Sequence, residues 1–175
     1  MPSIDGLTLK ACLFAVATLV CSVALSAGRA LDVNGAFAGD GCPKGWAANK
    51  PGHWDEAGTL SLSKVPGLEK NAVRLVSQSK GMHLYTRQFP LAAAEKVVLR
   101  AIVRGKGAGS LGVYTYPGAG MAEKEFKATE DWTEFVAELS PKATAICVVI
   151  TASLGSSVEF VDLTAEIEKE ENPKE

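Results

Sequence analysis

The sequence predicts an all-β protein, a single β-sandwich of two sheets that follows an export signal. Two observations predict this. Apolar residues run without interruption near the amino terminus, and the remaining chain alternates apolar and polar residues in short segments that glycine and proline separate. At 175 residues the chain has room for one ordinary domain. We divide it into a signal peptide at 1–30, a β-sandwich at 31–167 and an acidic disordered tail at 168–175.

The first segment has the layout of a secretory signal. Lys10 supplies a positive flank, Ala11–Leu25 is apolar and uncharged, and Ser26–Ala30 offers small residues for cleavage. The apolar run is shorter than the ~20 residues that span a bilayer. We therefore expect a secreted or periplasmic protein without membrane contact after cleavage. An uncleaved membrane anchor is the alternative.

The charge distribution argues against one class of partner. The formal net charge is −2, and Glu166–Glu175 alone carries five Glu against two Lys. The remainder of the chain is close to neutral, so no basic face is predicted. We expect no nucleic-acid partner, since phosphate binding needs clustered positive charge.

Two cysteines, Cys42 and Cys147, remain after cleavage. Export makes a disulfide between them chemically permissible, and a buried free thiol at Cys147 is the alternative. Neither cysteine has the spacing of a metal ligand relative to His53 or His83, so the sequence predicts no metal site from these side chains.

The strands are predicted from period-two alternation and from β-branched residues. Glycine and proline mark the turns between them, and Gly105–Gly109 is expected to close a hairpin. Many short strands at this spacing indicate a sandwich or barrel. The candidates are Leu31–Phe37, Leu60–Lys64, Ala72–Ser77, Met82–Phe89, Lys96–Arg104, Ser110–Tyr116, Glu123–Lys127, Trp132–Leu139, Thr144–Thr151 and Ser157–Ile167.

Two regions indicate where the core lies. One apolar set, Val97, Leu99, Ala101 and Val103, alternates along its strand and should face inward. The run Ala145–Ile150 is apolar on both faces, as in a central strand covered on both sides. In the long loop that follows the first strand, Trp46 is expected to plug one end of the sandwich, since a loop of this length is functional or held by its own aromatics.

The predicted hairpin also predicts a binding face. Pairing of its two strands places two arginines and two tyrosines opposite the core. Tyrosine offers a rigid apolar surface with a polar tip, and arginine offers a fork of donors. The alternative is ordinary cross-strand pairing on a solvent face. The candidate ligand-binding residues are Arg100, Arg104, Tyr114 and Tyr116, with Tyr85 and Trp54 at the rim, and His83, Tyr85 and Arg87 sharing one face of their strand.

No catalytic motif emerges. Gly107–Gly112 matches the glycine spacing of a dinucleotide-binding loop, but a strand follows it where that motif needs a helix. Adjacent acids such as Glu130 and Asp131 lie on loops, whereas glycosidases need two converging carboxylates. The sequence therefore predicts a protein that is not an enzyme.

Three short segments carry a family resemblance. Leu31–Phe37 (LDVNGAF), the following Gly45-Trp46 and Thr129–Phe135 (TEDWTEF) resemble the galactose-binding-like jelly rolls, particularly carbohydrate-binding modules of xylanases and related glycanases. The resemblance implies a jelly roll and a secreted, non-catalytic module that binds a poly- or oligosaccharide of unknown identity. An extracellular structural or protein-interaction sandwich, or a small glycan-active hydrolase, are the alternatives.

The same resemblance raises the question of calcium. Modules of this kind often hold a structural calcium ion, which needs several oxygen ligands. Here Ala38 stands where the family has an acidic residue, and Val161-Asp162 stands where it has an Asp pair. We therefore expect no cofactor, with Asp162 the one remaining candidate ligand.

Overall fold

The computed structural model describes residues 28–48, 58–66, 70–79 and 81–170. These residues form ten strands and no helix, which confirms the all-β prediction. Most of the predicted signal peptide, Trp54 and the end of the acidic tail lie outside the described residues. The strands are β1 Arg29–Ala30, β2 Trp46–Ala48, β3 Gly58–Val65, β4 Lys70–Ser77, β5 Met82–Pro90, β6 Glu95–Tyr116, β7 Gly120–Ala128, β8 Thr133–Leu139, β9 Ala145–Ala152 and β10 Ser157–Lys169.

The strands form two antiparallel sheets that share β6. The first sheet has the order β3-β4-β10-β6-β8, with β1 pairing beside the end of β10. The second sheet has the order β2-β5-β9-β6-β7. The first part of β6 pairs with β8 and β10, and its second part pairs with β7 and β9.

The predicted hairpin at Gly105–Gly109 is wrong, because the chain continues as one strand of 22 residues. Gly105 has φ 144°, and a Cβ atom there would lie 2.0 Å from the carbonyl oxygen of Ser157. Glycine therefore permits close backbone approach where β6 passes from one sheet into the other. Turn residues in the sequence here mark a strand that changes sheets.

The predicted strand Leu31–Phe37 is also wrong. In this part of the chain only the two residues Arg29–Ala30 form a strand, which pairs with β10, and an irregular segment follows them. Asn34 organises this segment, since its side-chain Nδ2 donates to the carbonyl oxygens of Ala38 at 3.0 Å and Lys44 at 2.7 Å. Its φ of 47° is a left-handed conformation that asparagine tolerates, so the Asn-Gly pair forms a turn here instead of continuing a strand.

The core lies between the two sheets. The predicted apolar set on β6 is buried there, and β9 contributes Ile146, Val148 and Ile150, each with no exposed surface. Trp46 is 8% exposed, donates from Nε1 to the Val33 carbonyl at 2.7 Å and packs on Phe37. It is therefore a buried structural residue, as the sequence predicts.

Candidate functional site

The outer face of the second sheet gathers most of the aromatic and polar side chains that the sequence singled out. Alternate residues of β5, β9 and β6 point into the core, so the residues between them point outward. Antiparallel pairing then aligns the outward residues in rows across the sheet. We call this surface the aromatic face; it comprises His83, Tyr85, Gln88, Ser110, Gly112, Tyr114, Tyr116, Met121, Glu123, Glu125, Cys147, Val149 and Thr151.

Tyr114 is the centre of the aromatic face. Its ring lies nearly parallel to that of His83, with an interplanar angle of 15° and a centroid distance of 6.1 Å. The Tyr85 ring meets it edge-on at 5.8 Å. With Tyr116, all three tyrosines of the chain belong to this one surface. Ring contacts join His83, Tyr85 and Tyr114, so these three side chains form a preorganised surface.

One short hydrogen bond links two of these rings, with Tyr114 Oη and His83 Nδ1 2.5 Å apart. Burial raises the pKa of Tyr114 to about 12, so its hydroxyl keeps its proton. Burial also lowers the pKa of His83, against a smaller opposite effect of Glu123. The neutral imidazole is thus favoured, and it shares this hydrogen bond with the protonated tyrosine hydroxyl.

A chain of polar groups lies beside the rings. Ser110 Oγ donates to Glu123 Oε2 at 2.5 Å and shares a second hydrogen bond with Thr151 Oγ1 at 2.7 Å. Along β6, Gly112 is the outward position between Ser110 and Tyr114. A Cβ atom at Gly112 would approach the Ala122 carbonyl oxygen to 2.7 Å. The face therefore has a side-chain-free position between its aromatic and polar parts.

Cys147 lies next to Tyr114 in its row. Burial raises the pKa of the Cys147 thiol, and burial likewise raises the pKa of Tyr116. The Sγ of Cys42 instead donates to the Trp46 carbonyl oxygen at 3.4 Å. Both thiols are free, so the disulfide that the sequence permits is not formed in this structure.

The predicted site is divided between two surfaces. Tyr85, Tyr114 and Tyr116 lie together on the aromatic face. Arg100 and Arg104 lie on the outer face of the first sheet, because β6 runs straight on instead of turning back. The expectation that these arginines join the tyrosines is therefore wrong.

A β-bulge changes the outward set on β5. The pairing with β9 shifts between Tyr85 and Gln88, so Gln88 takes the outward position predicted for Arg87. Arg87 lies over the ring of Phe89 instead. Thr86 holds the bulge, because its buried Oγ1 accepts from the Val148 amide at 3.0 Å and donates to the Arg87 carbonyl at 2.9 Å. A threonine in a core-facing position is the one sequence signal of this irregularity.

The candidate calcium ligand has an ion-pair partner in the structure. The Asp162 carboxylate binds the ammonium group of Lys70, and Asp162 lies in the irregular stretch of β10 between Val161 and Thr164. Within the described part of the chain, no three His, Cys, Asp or Glu side chains converge as a metal site would require.

Comparison with known proteins gives a clear result only at the level of structure. No family model and no curated protein matches the sequence. A variant of a family 29 carbohydrate-binding module complexed with cellulohexaose superposes with a TM-score of 0.54 at 14% identity, covering 79% of this chain and 92% of that chain. A family 4 carbohydrate-binding module gives 0.53 at 9% identity, covering 77% and 98%.

One further structure shows that the likeness in fold extends beyond carbohydrate-binding modules. The enzymatically active part of a tailspike protein of bacteriophage CBA120 gives a TM-score of 0.51 at 6% identity, covering 71% of this chain and 20% of that chain. At these identities the comparisons show the fold, which is the jelly roll of carbohydrate-binding modules. None of the described residues belongs to a helix that could cross a bilayer.

Proposed function

We propose that this protein is an exported, non-catalytic carbohydrate-binding module whose aromatic face binds a neutral oligo- or polysaccharide. The observation that carries the proposal is the clustering of all three tyrosines with His83 on the outer face of the second sheet. The fold is that of carbohydrate-binding modules, and related structures are complexed with mannohexaose and cellulohexaose.

The chemistry of the face suits a sugar. A pyranose ring has an apolar C–H surface edged by hydroxyls, and it matches a rigid aromatic surface that carries polar groups at its side. Tyr85 and Tyr114 supply that surface, while Gln88 and Glu123 offer an amide and a carboxylate for hydroxyl groups. The face contains two carboxylates, Glu123 and Glu125, and no lysine or arginine, which favours a neutral sugar over an acidic one.

The non-catalytic part of the proposal rests on the arrangement of the acids. Glycoside hydrolysis needs two carboxylates that converge on one bond. The two acids of the aromatic face, Glu123 and Glu125, stand side by side on β7 and do not face each other across a cleft, and Glu123 is hydrogen-bonded to Ser110. Export is inferred from the sequence of residues 1–30 alone.

The test is a screen of Gly28–Glu175, which keeps strand β1, against an immobilised panel of neutral and acidic glycans. Tyr85→Ala and Tyr116→Ala remove outward rings without touching the core, and we expect each to weaken binding by about tenfold. Leu154→Ala is the matched control, since Leu154 is an exposed apolar side chain outside the face. Retained binding in both tyrosine variants would move the site elsewhere. A folded protein that binds no glycan would overturn the proposal.

A further inference from the structure

A second polar site lies on the outer face of the first sheet, on the far side of the core from the aromatic face. It is an open pocket of about 330 Å³ that three strands border. We call it the arginine pocket; it is lined by Arg74, Arg104, Lys106, Glu130, Ser157 and Glu159.

Strand register explains why these side chains meet. On the central strand β10, Glu159 lies directly opposite Arg74 of β4 on one side and Arg104 of β6 on the other. Two residues earlier, Ser157 lies opposite Lys106. Cations from both neighbouring strands therefore flank a single carboxylate and a hydroxyl.

The pocket is held in place by contacts that leave donors available. Arg104 donates from Nε to Glu159 Oε2 at 2.7 Å, and its guanidinium carbon lies 4.3 Å from the ring centre of Trp132. Arg74 donates from Nε to Ser157 Oγ at 3.0 Å. Among the described residues, no carboxylate lies within ion-pair distance of Arg74. The terminal nitrogens of both guanidinium groups remain as donors.

The charge of the pocket is unbalanced. Three cations face two carboxylates, which leaves a local charge of +1. The pairing of Lys106 with Glu130 is long, 3.6 Å, and both side chains are more than 80% exposed, so water or a ligand easily replaces it. One positive charge therefore lacks a compensating anion within this pocket.

We propose that the arginine pocket binds one singly charged oxyanion group, a carboxylate or a sulfate ester, of an acidic saccharide. Guanidinium groups bind such oxygens through paired N–H donors. Ser157 already accepts from Arg74, so its own proton is available to the same ligand. A local charge of +1 favours a monoanion over a phosphate dianion. The saccharide part of this proposal rests on the proposed function, whereas the anion site rests on the residues of the other sheet alone.

Amide NMR titration of the folded domain tests this site directly. The probes are methyl glucuronide, glucose 6-sulfate, glucose 6-phosphate at about pH 8, where it is a dianion, and uncharged glucose. We expect the first two to shift amides of β4, β6 and β10 around the pocket. Arg74→Gln should weaken this binding about fivefold to tenfold, since it removes a charge-assisted contact. Glu130→Gln should tighten it, since the local charge rises to +2.

Matched results decide the matter. Arg100→Gln removes an exposed arginine of β6 from the same outer face, outside the pocket, and should leave the titration unchanged. Equal losses in the Arg74 and Arg100 variants would show diffuse charge attraction and overturn the site. So would equal shifts with glucose, tighter binding of glucose 6-phosphate, or no shift with any probe.

Discussion

The hydroxyl of Tyr114 and Nδ1 of His83 lie 2.5 Å apart although their strands, β6 and β5, are separated by β9. The two residues also lie two rows apart in the sheet, because His83 aligns with Ser110, whereas Tyr114 aligns with Cys147. The position between them is Val149 of β9, which has no exposed surface. The geometry of the aromatic face thus depends on the length of the Tyr114 side chain, which reaches across β9.

Acidification should weaken the fold through His83. Burial lowers its pKa below the ordinary value of 6.5, so the folded state favours the neutral ring and binds fewer protons than the unfolded chain just below that pH. This contribution to stability is complete above pH 6.5 and is lost as the pH falls through the folded pKa. Thermal unfolding of His83→Gln should show a flatter pH dependence than the wild type. His53→Gln, at the only other histidine, is the control, and equal flattening in both variants would contradict the assignment.

Tyr114 should ionise only at strongly alkaline pH. Its pKa of about 12 follows mainly from burial, with smaller contributions from the charges of its neighbours. In a series of rapid pH jumps to increasing final pH, the absorbance of the tyrosinate band should show a late phase, a further rise when the final pH is near that value, before unfolding intervenes. Tyr114→Phe should remove this phase, whereas Tyr85→Phe should leave it in place. A late phase that persists in Tyr114→Phe contradicts the prediction.

Gly105→Ala should be severely destabilising. A methyl group there would meet the Ser157 carbonyl oxygen at 2.0 Å, and backbone atoms of β10 cannot move without breaking the pairing of β6. We expect a loss of about 3 kcal/mol in the free energy of unfolding, measured by denaturant titration. Gly118→Ala is the matched control, because its φ of 122° is also left-handed but nothing lies near its added Cβ. Similar losses in both variants would assign the effect to φ alone.

Calcium should not change the stability of the folded domain. The Asp162 carboxylate binds the Lys70 ammonium, and this pair is partly exposed. We therefore expect Lys70→Ala to cost less than about 1 kcal/mol, and the melting temperature to be the same with calcium or with a chelator. Lys64→Ala, on the neighbouring edge strand, is the control for loss of a lysine. A rise in melting temperature with calcium would show a site that these side chains do not explain.

Sequence reasoning succeeded where period-two alternation decides the outcome. The apolar sets of β6 and β9 and the burial of Trp46 follow from patterns of a few neighbouring residues. It failed at Gly105–Gly109, since glycines that permit a turn equally permit a strand to change sheets. It also failed at Arg87, because a β-bulge shifts the alternation of inward and outward residues by one. The hydrogen bond between the Thr86 hydroxyl and the Val148 amide that holds this bulge is a tertiary contact, which the local pattern does not reveal. The division of the predicted site into two surfaces follows from the first of these errors.

The shared strand β6 has a consequence for how the domain opens. Because β6 is internal to both sheets, neither sheet can separate from the other without losing hydrogen bonds along the same 22-residue segment. The domain should therefore unfold as one cooperative unit, with no stable fragment that contains a single sheet. In native-state hydrogen exchange, the amides of β6 on either side of Gly105 should exchange together and only through global unfolding. Amides in the short edge strand β2 should exchange earlier through local fraying.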